Sequence, residues 1–366
     1  MRRLLLGVWF IIWMLQGCES RERSETLARN ETNTGALSLP STSVPAAPVS
    51  VSPAKKVTLR VGVLEGDDNQ IFGKIRDIAV DSKGNLFVLD DQSLTVRWFD
   101  NEGRFRGSAG RAGGGPGEFR APMALALDEV EYVQVLDAAH SRIDTFAPTD
   151  SGLTLVNTLR SPLHALAFCR IGSRYFLLAP QAEAVIHEMS SNGDLLQSFG
   201  APIVKIPENL RAHESIMRES GSRGRLCCTR APDRVILVPA ATPVVRAFSP
   251  EGKLVWSVAL ANYHASRYEP KGRGFALMPD PKSGTAHSAL YMARLGKDVL
   301  GVTLHEGSLA NPEGKLELRT LSLVDGHEIR ASGSSMIVAA KRGLLEYGFV
   351  NHPFPQITVT SFEPPK

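Results

Sequence analysis

Short alternating runs of apolar and polar residues dominate the chain from about residue 57 onward. Between residues 76 and 110 the apolar runs predict strands at 78–80, 86–89 and 96–99, followed by a fourth strand. Polar turns that contain glycine or acidic residues separate these runs, which is typical of antiparallel meanders. The segment therefore predicts one four-stranded antiparallel sheet.

The same pattern recurs along the chain. Asp81 and Asp128 are 47 positions apart, and so are Phe99 and Phe146. A four-stranded meander cannot bury both of its faces alone, so repeats of this size pack face to face around an axis as a propeller. Further units are predicted at residues 123–158, 164–200, 225–258, 288–330 and 334–362.

The two ends of the repeat region predict how the ring closes. The last unit contains three predicted strands, and an additional strand at residues 57–63 precedes the first unit. Pairing these segments removes a free sheet edge. We therefore expect residues 57–366 to form an all-β, six-bladed β-propeller of four-stranded antiparallel blades, in which the N-terminal strand closes the last blade.

A glycine-rich segment carries a resemblance to a known family. Residues 113–119 (GGGPGEF), followed by the runs ALALD, VLD and SRIDTF, resemble an NHL repeat of six-bladed propellers. Asp137 and Arg142 match that repeat, whereas His140 stands where such repeats often carry asparagine. The resemblance is close over about residues 71–150. It implies the fold more firmly than an activity, because such propellers include ligand-binding and protein-binding modules, lactonases and lyases.

The first 17 residues have the pattern of a lipoprotein signal peptide. A basic start precedes the apolar run 4–15, which is shorter than the roughly 20 residues of a membrane-spanning helix. Residues 15–18 (LQGC) resemble the bacterial lipobox, which implies that Cys18 receives the lipid, although Gln16 departs from the usual residue. Glu19 then implies an outer-membrane lipoprotein. The alternative is an ordinary signal peptide with an incidental Cys18.

A solvated tether is predicted between the lipid anchor and the propeller. Residues 18–56 are rich in Ser, Thr, Asn, Ala and Pro. The formal net charge of the chain is +3 at pH 7, which gives no electrostatic footprint for nucleic acid. We therefore expect an exported protein of the cell envelope, held on the outer membrane or facing the periplasm through its lipid. A local basic group is interpreted as solvated surface: Arg104, Arg106, Arg111 and Arg120.

Three further cysteines lie in the repeat region. Cys169, Cys227 and Cys228 lack the spacing of a structural zinc site. An exported compartment favours disulfides, and the innermost strands of the third and fourth units, which contain these cysteines, come close near the axis. Because vicinal residues of a strand point to opposite faces, we expect a bridge from Cys169 to either Cys227 or Cys228. Three free thiols are the alternative.

One face of the propeller is expected to hold the functional residues. The loops that enter the innermost strands and the loops between second and third strands share this face, around the central opening. Polar residues there are candidates for lining a ligand site. The alternative is that the aspartates cap turns and that Arg142 braces neighbouring blades. The candidates are Arg76, Asp77, Asp90, Asp91, Asp137, His140, Arg142, His164 and Arg225.

Two insertions interrupt the repeat on the same face, at about residues 201–224 and 262–287. The first predicts a short helix that starts at Pro207, whereas the second has no strand signal. Long loops on a rigid scaffold are where binding usually occurs, and disordered insertions are the alternative. The first insertion offers Leu210, Ile216 and Met217 as an apolar helix face, and the second offers Tyr263, His264 and Arg267 to an acidic or sugar-like ligand.

The sequence contains no recognised catalytic motif, and we assign no catalytic residue. G-x-S-x-G and H-E-x-x-H are absent, and the nine histidines are scattered. Calcium held by axial carboxylates is the cofactor we would look for first. The preferred function is a lipid-anchored envelope module that binds a protein, peptide or glycan on the loop-rich face. The alternatives are a calcium-dependent lactonase- or lyase-like enzyme and a structural lipoprotein of an envelope assembly.

Overall fold

The computed structural model describes residues 55–204, 206–272, 274–311, 314–333, 337, 339–341 and 345–362. The predicted signal peptide, Cys18 and nearly all of the predicted tether therefore lie outside the described residues. In the part of the chain that is described, no helix has the length and apolar character needed to cross a bilayer.

Six four-stranded antiparallel sheets form the blades of a propeller, which confirms the predicted fold. The first strand of the chain is β1 (Lys55–Val61), and the blades follow one another in chain order. Blade 1 consists of β2 (Ile75–Val80), β3 (Leu86–Asp90), β4 (Thr95–Phe99) and β5 (Phe105–Ala109). Blade 2 consists of β6 (Pro122–Leu127), β7 (Val133–Asp137), β8 (Arg142–Thr149) and β9 (Gly152–Arg160). Blade 3 consists of β10 (Ala167–Ile171), β11 (Arg174–Leu178), β12 (Ile186–Met189) and β13 (Leu195–Phe199).

The second half of the chain adds three more blades and two inserted elements. Helix α1 (Glu214–Gly221) precedes blade 4, which consists of β14 (Gly224–Thr229), β15 (Arg234–Pro239), β16 (Val244–Phe248) and β17 (Leu254–Ala259). The hairpin β18 (Arg267–Lys271) and β19 (Gly274–Met278) precedes blade 5, which consists of β20 (Thr285–Arg294), β21 (Val299–Ser308), β22 (Lys315–Ser322) and β23 (Glu328–Gly333). Blade 6 combines β24 (Ala339–Lys341), β25 (Leu345–Val350) and β26 (Gln356–Phe362) with β1.

The recurring aspartates are explained by the turns between the first two strands of a blade. The carboxylate of Asp81 accepts hydrogen bonds from the N–H groups of Lys83 and Asn85, at 2.9 and 2.8 Å. Asp128 accepts from Val130 and Tyr132 at 3.0 and 2.8 Å. Aspartate side chains favour such turns because they satisfy backbone donors two residues on. The 47-residue repeat in the sequence therefore marks equivalent hairpins.

All six outer strands carry a β-bulge at the same position. In each blade the pairing between third and outer strand skips one residue of the outer strand. A bulge bends the strand and interrupts the row of free backbone groups on a sheet edge. The skipped residues are Thr58, Arg106, Val156, Leu196, Val255 and Ile329.

The hydrophobic core lies between the blades. Every residue of β3 is buried, because each face of this strand packs against a different neighbour. Phe87 and Leu89 pack with Val133 and Val135 of blade 2, whereas Leu86 belongs to a cluster with residues of blade 6. β3 and the equivalent β7 are therefore buried at every position rather than at alternate positions.

The ring closes as the sequence predicted. β1 pairs with β26 in antiparallel register, with Val61 opposite Ile357 and Lys55 opposite Phe362. Val61 and Ile357 are 1 and 0% exposed and belong to one cluster with Ile75 of blade 1. The first strand of the chain is thus the outer strand of the last blade.

The first insertion forms a short helical segment that begins after Pro207, as expected. A 3-10 helix (Glu208–His213) leads directly into α1. Leu210 and Met217 are buried, but Ile216 is 58% exposed, so its assignment to the buried face was wrong. Adjacent residues on a helix point about 100° apart, and α1 uses Met217 and Gly221, four positions apart, as its buried side.

The second insertion contains the hairpin β18–β19, so the interpretation that it has no strands was wrong. Its last residues, from Thr285, also belong to β20. The hairpin is ordered by tertiary contacts: the rings of Tyr268 and Phe275 pack edge to face at 5.2 Å, and the Phe275 ring lies 5.9 Å from that of His213. Such contacts leave no periodic apolar signal in the local sequence.

A disulfide joins the inner strands of blades 3 and 4. Of the two partners that the sequence left open, the structure pairs Cys169 with Cys228, with an S–S distance of 2.05 Å. Cys227 keeps a free thiol. Burial raises the pKa of this thiol to about 11, because desolvation disfavours the thiolate.

Replacing Val61 with alanine tests the closure. We expect Val61→Ala to lower the free energy of unfolding by about 2 kcal/mol, because it leaves a cavity in the cluster shared by blades 6 and 1. Val57→Ala changes the same residue type in the same strand at a position that is 43% exposed, so its effect should stay within about 0.5 kcal/mol. Guanidinium unfolding of the full chain measures both. Equal effects would contradict this role of β1.

Cys228→Ser tests the inter-blade disulfide. The bridge closes a loop across 59 positions, for which chain entropy gives about 4 kcal/mol. We expect this variant to lose a stability of that order in oxidising buffer and to match the reduced wild type. Cys227→Ser leaves the bridge intact and should lose much less. A bridge between Cys169 and Cys227 in the peptide map of the wild type would refute the observed pairing.

Candidate ligand-binding face

Two of the predicted candidates, Asp90 and Asp137, are buried turn-capping residues. They end β3 and β7, at equivalent positions of blades 1 and 2, and both are 0% exposed. Each carboxylate receives the backbone N–H groups of the loop that enters the inner strand of its own blade. Asp137 also lies 2.7 Å from Nδ1 of the candidate His140. Their oxygens therefore hold these loops in place.

Arg142 braces the glycine-rich loop between blades 1 and 2. Its Nη atoms donate to the carbonyl oxygens of Gly114, Gly115 and Glu118. Its Nε lies 3.1 Å from Oδ2 of Asp144. A planar guanidinium suits this role because it presents several donors in one rigid plane. These contacts agree with the alternative interpretation of the sequence, in which Arg142 braces neighbouring blades.

A second group of candidates meets at the axis. Arg76 and Asp77 extend from the inner strand of blade 1, and Arg225 from that of blade 4. The Arg225 guanidinium lies over the ring of Tyr291, 4.4 Å from its centre. The Tyr291 hydroxyl donates to the carbonyl oxygen of Arg76 at 2.7 Å. Tyr291 of blade 5 thereby contacts both blade 1 and blade 4.

Asp77 is the acidic member of this axial group. Its carboxylate accepts the N–H groups of Ile78 and of Leu125 in blade 2, at 3.0 and 2.9 Å. Burial raises the pKa of Asp77 above its usual value, and the positive charge of Arg225 opposes that rise. Asp77 therefore ties blades 1 and 2 together and offsets the arginine charge.

Arg76 is the least well paired cation of the axial group. Its Nη2 lies 3.0 Å from the thioether sulfur of Met123, which is a weak acceptor. Its Nη1 lies 3.9 Å from Oδ2 of the candidate Asp91, which is closer to Lys74, at 3.3 Å. Among the described residues, Nε of Arg76 has no hydrogen-bond partner. Within the described part of the chain, Arg76 therefore has no ion pair shorter than 3.9 Å.

The candidate His164 lies in a small cleft at the loop-rich end of blade 3. The cleft has a volume of about 190 Å³ and is bounded by loops of blade 3 and by Glu219 of α1. Its walls combine apolar side chains with three polar ones. They are Leu163, His164, Leu166, Ala179, Pro180, Gln181 and Glu219.

The two insertions pack together and form what we call the lobe, residues 208–221 and 267–278. The Tyr268 hydroxyl donates to the carbonyl oxygen of Met217 at 3.2 Å. Gly221 permits this approach, because a Cβ atom there would lie 2.7 Å from the same hydroxyl. The candidate Arg267 lies on the exposed side of the hairpin and pairs with Glu269 at 2.6 Å. The lobe thus places α1 beside the cleft.

The other candidates of the second insertion lie at its root. The hydroxyl of the half-buried Tyr263 is 3.0 Å from the carbonyl oxygen of Ala240 and 2.9 Å from that of His287, so it connects blades 4 and 5. Burial raises the pKa of Tyr263. The backbone N–H of His264 donates to Nδ1 of His287 at 2.9 Å.

His264 belongs to a mixed cluster with His287 and Glu306. Each residue offers a potential ligand atom, and these atoms lie within 4.8 Å of one another. Lys315 pairs with Oε2 of Glu306 at 2.7 Å. The hydrogen bond from Lys315 lowers the pKa of Glu306 to about 2, so its carboxylate is ionised at neutral pH.

The structure thus separates the predicted site residues into several groups. Arg76, Asp77, Asp91 and Arg225 meet at the axis, His164 lines the cleft, and His264 joins the mixed cluster. Sequence reasoning missed Tyr291, Glu219 and Glu306, since each becomes a neighbour only through contacts between distant segments. An axial calcium ion stays a prediction.

Comparisons with known proteins concern the fold. A family model described as DUF5128, a 6-bladed beta-propeller, matches residues 57–183. No curated protein matches the chain. The NHL resemblance and the lipid anchor stay predictions.

Similar solved structures include two from Bacteroides. A protein of Bacteroides fragilis, described as exported, is 10% identical, with a TM-score of 0.58 over 85% of this chain and 96% of that one. A DUF4221 family member of Bacteroides vulgatus is 12% identical, with a TM-score of 0.56 over 85% and 98%. A virginiamycin B lyase of Staphylococcus aureus is 8% identical, with a TM-score of 0.48 over 85% and 100%. At such identities the similarity concerns the fold alone.

Replacing Asp137 tests its turn-capping role. We expect Asp137→Ala to lower the free energy of unfolding by about 2–3 kcal/mol, because the backbone N–H groups of Arg120 and Ala121 lose their buried acceptor. Asp150→Ala removes the same group from an exposed turn and should change it by less than about 0.5 kcal/mol. Chemical denaturation of both variants gives the comparison. A stable Asp137→Ala variant would argue against this role.

Proposed function

We propose that this chain is an exported, lipid-anchored binding module of the bacterial cell envelope, which recognises an extended peptide segment of a partner protein on its loop-rich face. The observation that carries the proposal is the lobe. Insertions from two consecutive connections pack against each other and place Glu219 at the edge of the cleft that contains His164. An ordered addition to one face of a rigid scaffold is typical of a recognition surface.

The size of the cleft favours recognition of a polymer. Pockets that enclose a whole small-molecule ligand usually measure about 300–1,000 Å³, whereas this cleft measures about 190 Å³. Such a volume suits one side chain of an extended segment. The apolar Leu163, Leu166 and Pro180 would contact that side chain, and Gln181 and Glu219 offer hydrogen bonds to the neighbouring backbone.

The positively charged side chains at the axis support the proposal that the recognised segment carries an acidic group. Arg76 has a thioether and a distant carboxylate as its side-chain partners. A carboxylate could bind to such a guanidinium through charge-assisted hydrogen bonds. We therefore propose that the recognised segment carries Asp, Glu or a free C-terminus beside the side chain that enters the cleft.

The position of β1 supports the proposal that the loop-rich face is accessible to a partner. Lys55 pairs with Phe362, at the end of blade 6 that lies opposite the loop-rich face. Lys55, the first described residue, therefore lies at the end of the propeller away from the proposed binding surface. The signal-peptide pattern, the lipobox resemblance around Cys18 and a similar solved structure described as exported support the proposed envelope location.

Photocrosslinking in the organism that makes the protein tests this function. A benzophenone amino acid would replace Gln181 or Glu183, which are exposed beside the cleft, and in control variants Asn101 or Asn192, which are exposed in turns of the opposite face. We expect adducts of discrete mass from the first pair and none from the second. Mass spectrometry of the adducts should identify peptides of one envelope protein.

A double substitution tests the contribution of the cleft. His164→Ala combined with Glu219→Ala should reduce adduct formation at position 183 at least fivefold without lowering the amount of folded protein. Equal adducts from both faces, or no adduct from the loop-rich face, would contradict the proposal. Adducts that contain only glycan would show that the ligand class is different.

A further inference from the structure

The mixed cluster lies at the end of blade 5, where its strands are unusually long. β20 and β21 each have 10 residues, against 6 and 5 in the corresponding strands of blade 1. Their antiparallel register places His287 opposite Glu306, and cross-strand partners have side chains on the same face of a sheet. His264, at the root of the lobe, reaches both from the preceding connection.

We propose that His264, His287 and Glu306 form a binding site for one zinc ion. Two imidazoles and a carboxylate are a donor set that zinc uses with three protein ligands, which leaves a fourth position for water or an external ligand. Calcium prefers six to eight oxygen ligands, so this cluster does not suit the calcium expected at the axis. The proposal is independent of the proposed peptide recognition.

One measured distance already fits such a site. Zinc lies about 2.0–2.2 Å from nitrogen and oxygen ligands in tetrahedral geometry, so two of its ligand atoms are about 3.3 Å apart. Nδ1 of His264 and Oε1 of Glu306 are separated by 3.3 Å. Lys315 pairs with the other oxygen, Oε2. The Thr285 hydroxyl lies 2.8 Å from Nδ1 of His264 and 2.9 Å from Oε1 of Glu306, so bound zinc would displace these two hydrogen bonds.

His287 has the protonation state that a ligand needs. Its Nδ1 accepts the N–H of His264, so the lone pair is on Nδ1 and the proton is on Nε2. That nitrogen lies 3.8 Å from Oε2 of Glu317. A carboxylate that orients the far nitrogen of a ligating histidine is a common feature of zinc sites. Zinc at Nδ1 would displace this hydrogen bond, so the backbone at His264 must move away when the ion binds.

The position of the cluster makes it accessible to an ion from solvent and allows a bound ion to stabilise the lobe. The His264 side chain is 36% exposed, so an ion can enter from solvent, whereas His287 is 3% exposed and fixed within blade 5. Because His264 belongs to the connection that leads to β18, bound zinc would clamp the root of the lobe to the end of blade 5.

Zinc titration of the full chain, purified with a chelator and without a histidine tag, tests the site. Competition with a chromophoric chelator and elemental analysis after gel filtration would measure affinity and stoichiometry. We expect one zinc ion per chain in the wild type. His264→Gln and Glu306→Gln should each weaken binding at least tenfold, and Glu317→Gln, which removes the charge beside His287, about tenfold or more.

His327→Gln is the matched control, because His327 also pairs with a carboxylate, that of Asp325, but is exposed at the opposite end of blade 5. It should bind zinc as the wild type does. Stoichiometric zinc that persists in both His264→Gln and Glu306→Gln would overturn the proposal, and so would a wild type that retains no zinc. Circular dichroism of each variant would separate lost zinc binding from lost folding.

Discussion

The structure depends on the burial of both faces of every sheet between two neighbouring blades. β3 shows this constraint directly, because Phe87 and Leu89 pack on blade 2 while Leu86 packs with residues of blade 6. Apolar surface on a single sheet face would otherwise remain in water, at roughly 25 cal/mol per Å². Each blade is therefore stable only within a closed ring. The pairing of β1 with β26 follows from the same requirement.

A closed ring also explains why most polar side chains near the axis hydrogen-bond to the protein itself and are not free to bind a ligand. The inner strands converge there, and Asp77, Asp90, Asp137 and Arg142 satisfy backbone groups of loops and neighbouring blades. A buried backbone donor without a partner is costly. Polar side chains that merely lie at the loop-rich face thus need not form a ligand site. Arg76, whose pairing is incomplete, is the informative exception.

Departures from the regular four-stranded blade are concentrated in the connections between blades, which the packing of the ring does not constrain. The connections before blades 4 and 5 hold the lobe, whose halves stabilise each other through contacts of Tyr268 with Met217 and of Phe275 with His213. Below it, the extended β20–β21 pair carries His287 and Glu306. Both features lie on one side of the loop-rich face, so recognition and the proposed zinc site would share a rigid support.

The sequence by itself determined the elements that arise from local pattern: the repeating hairpins, their turn aspartates, the six blades and the closing strand. It also favoured a disulfide from Cys169 to one of two adjacent cysteines, with three free thiols as the alternative. Only the tertiary structure decided that Cys228 is the disulfide partner of Cys169 and that the second insertion folds as a hairpin. It also decided that Tyr291 contacts Arg76 and that Glu306 lies beside His264. The physical reason is that hairpins form between residues close in the chain, whereas these contacts depend on the register and approach of distant segments.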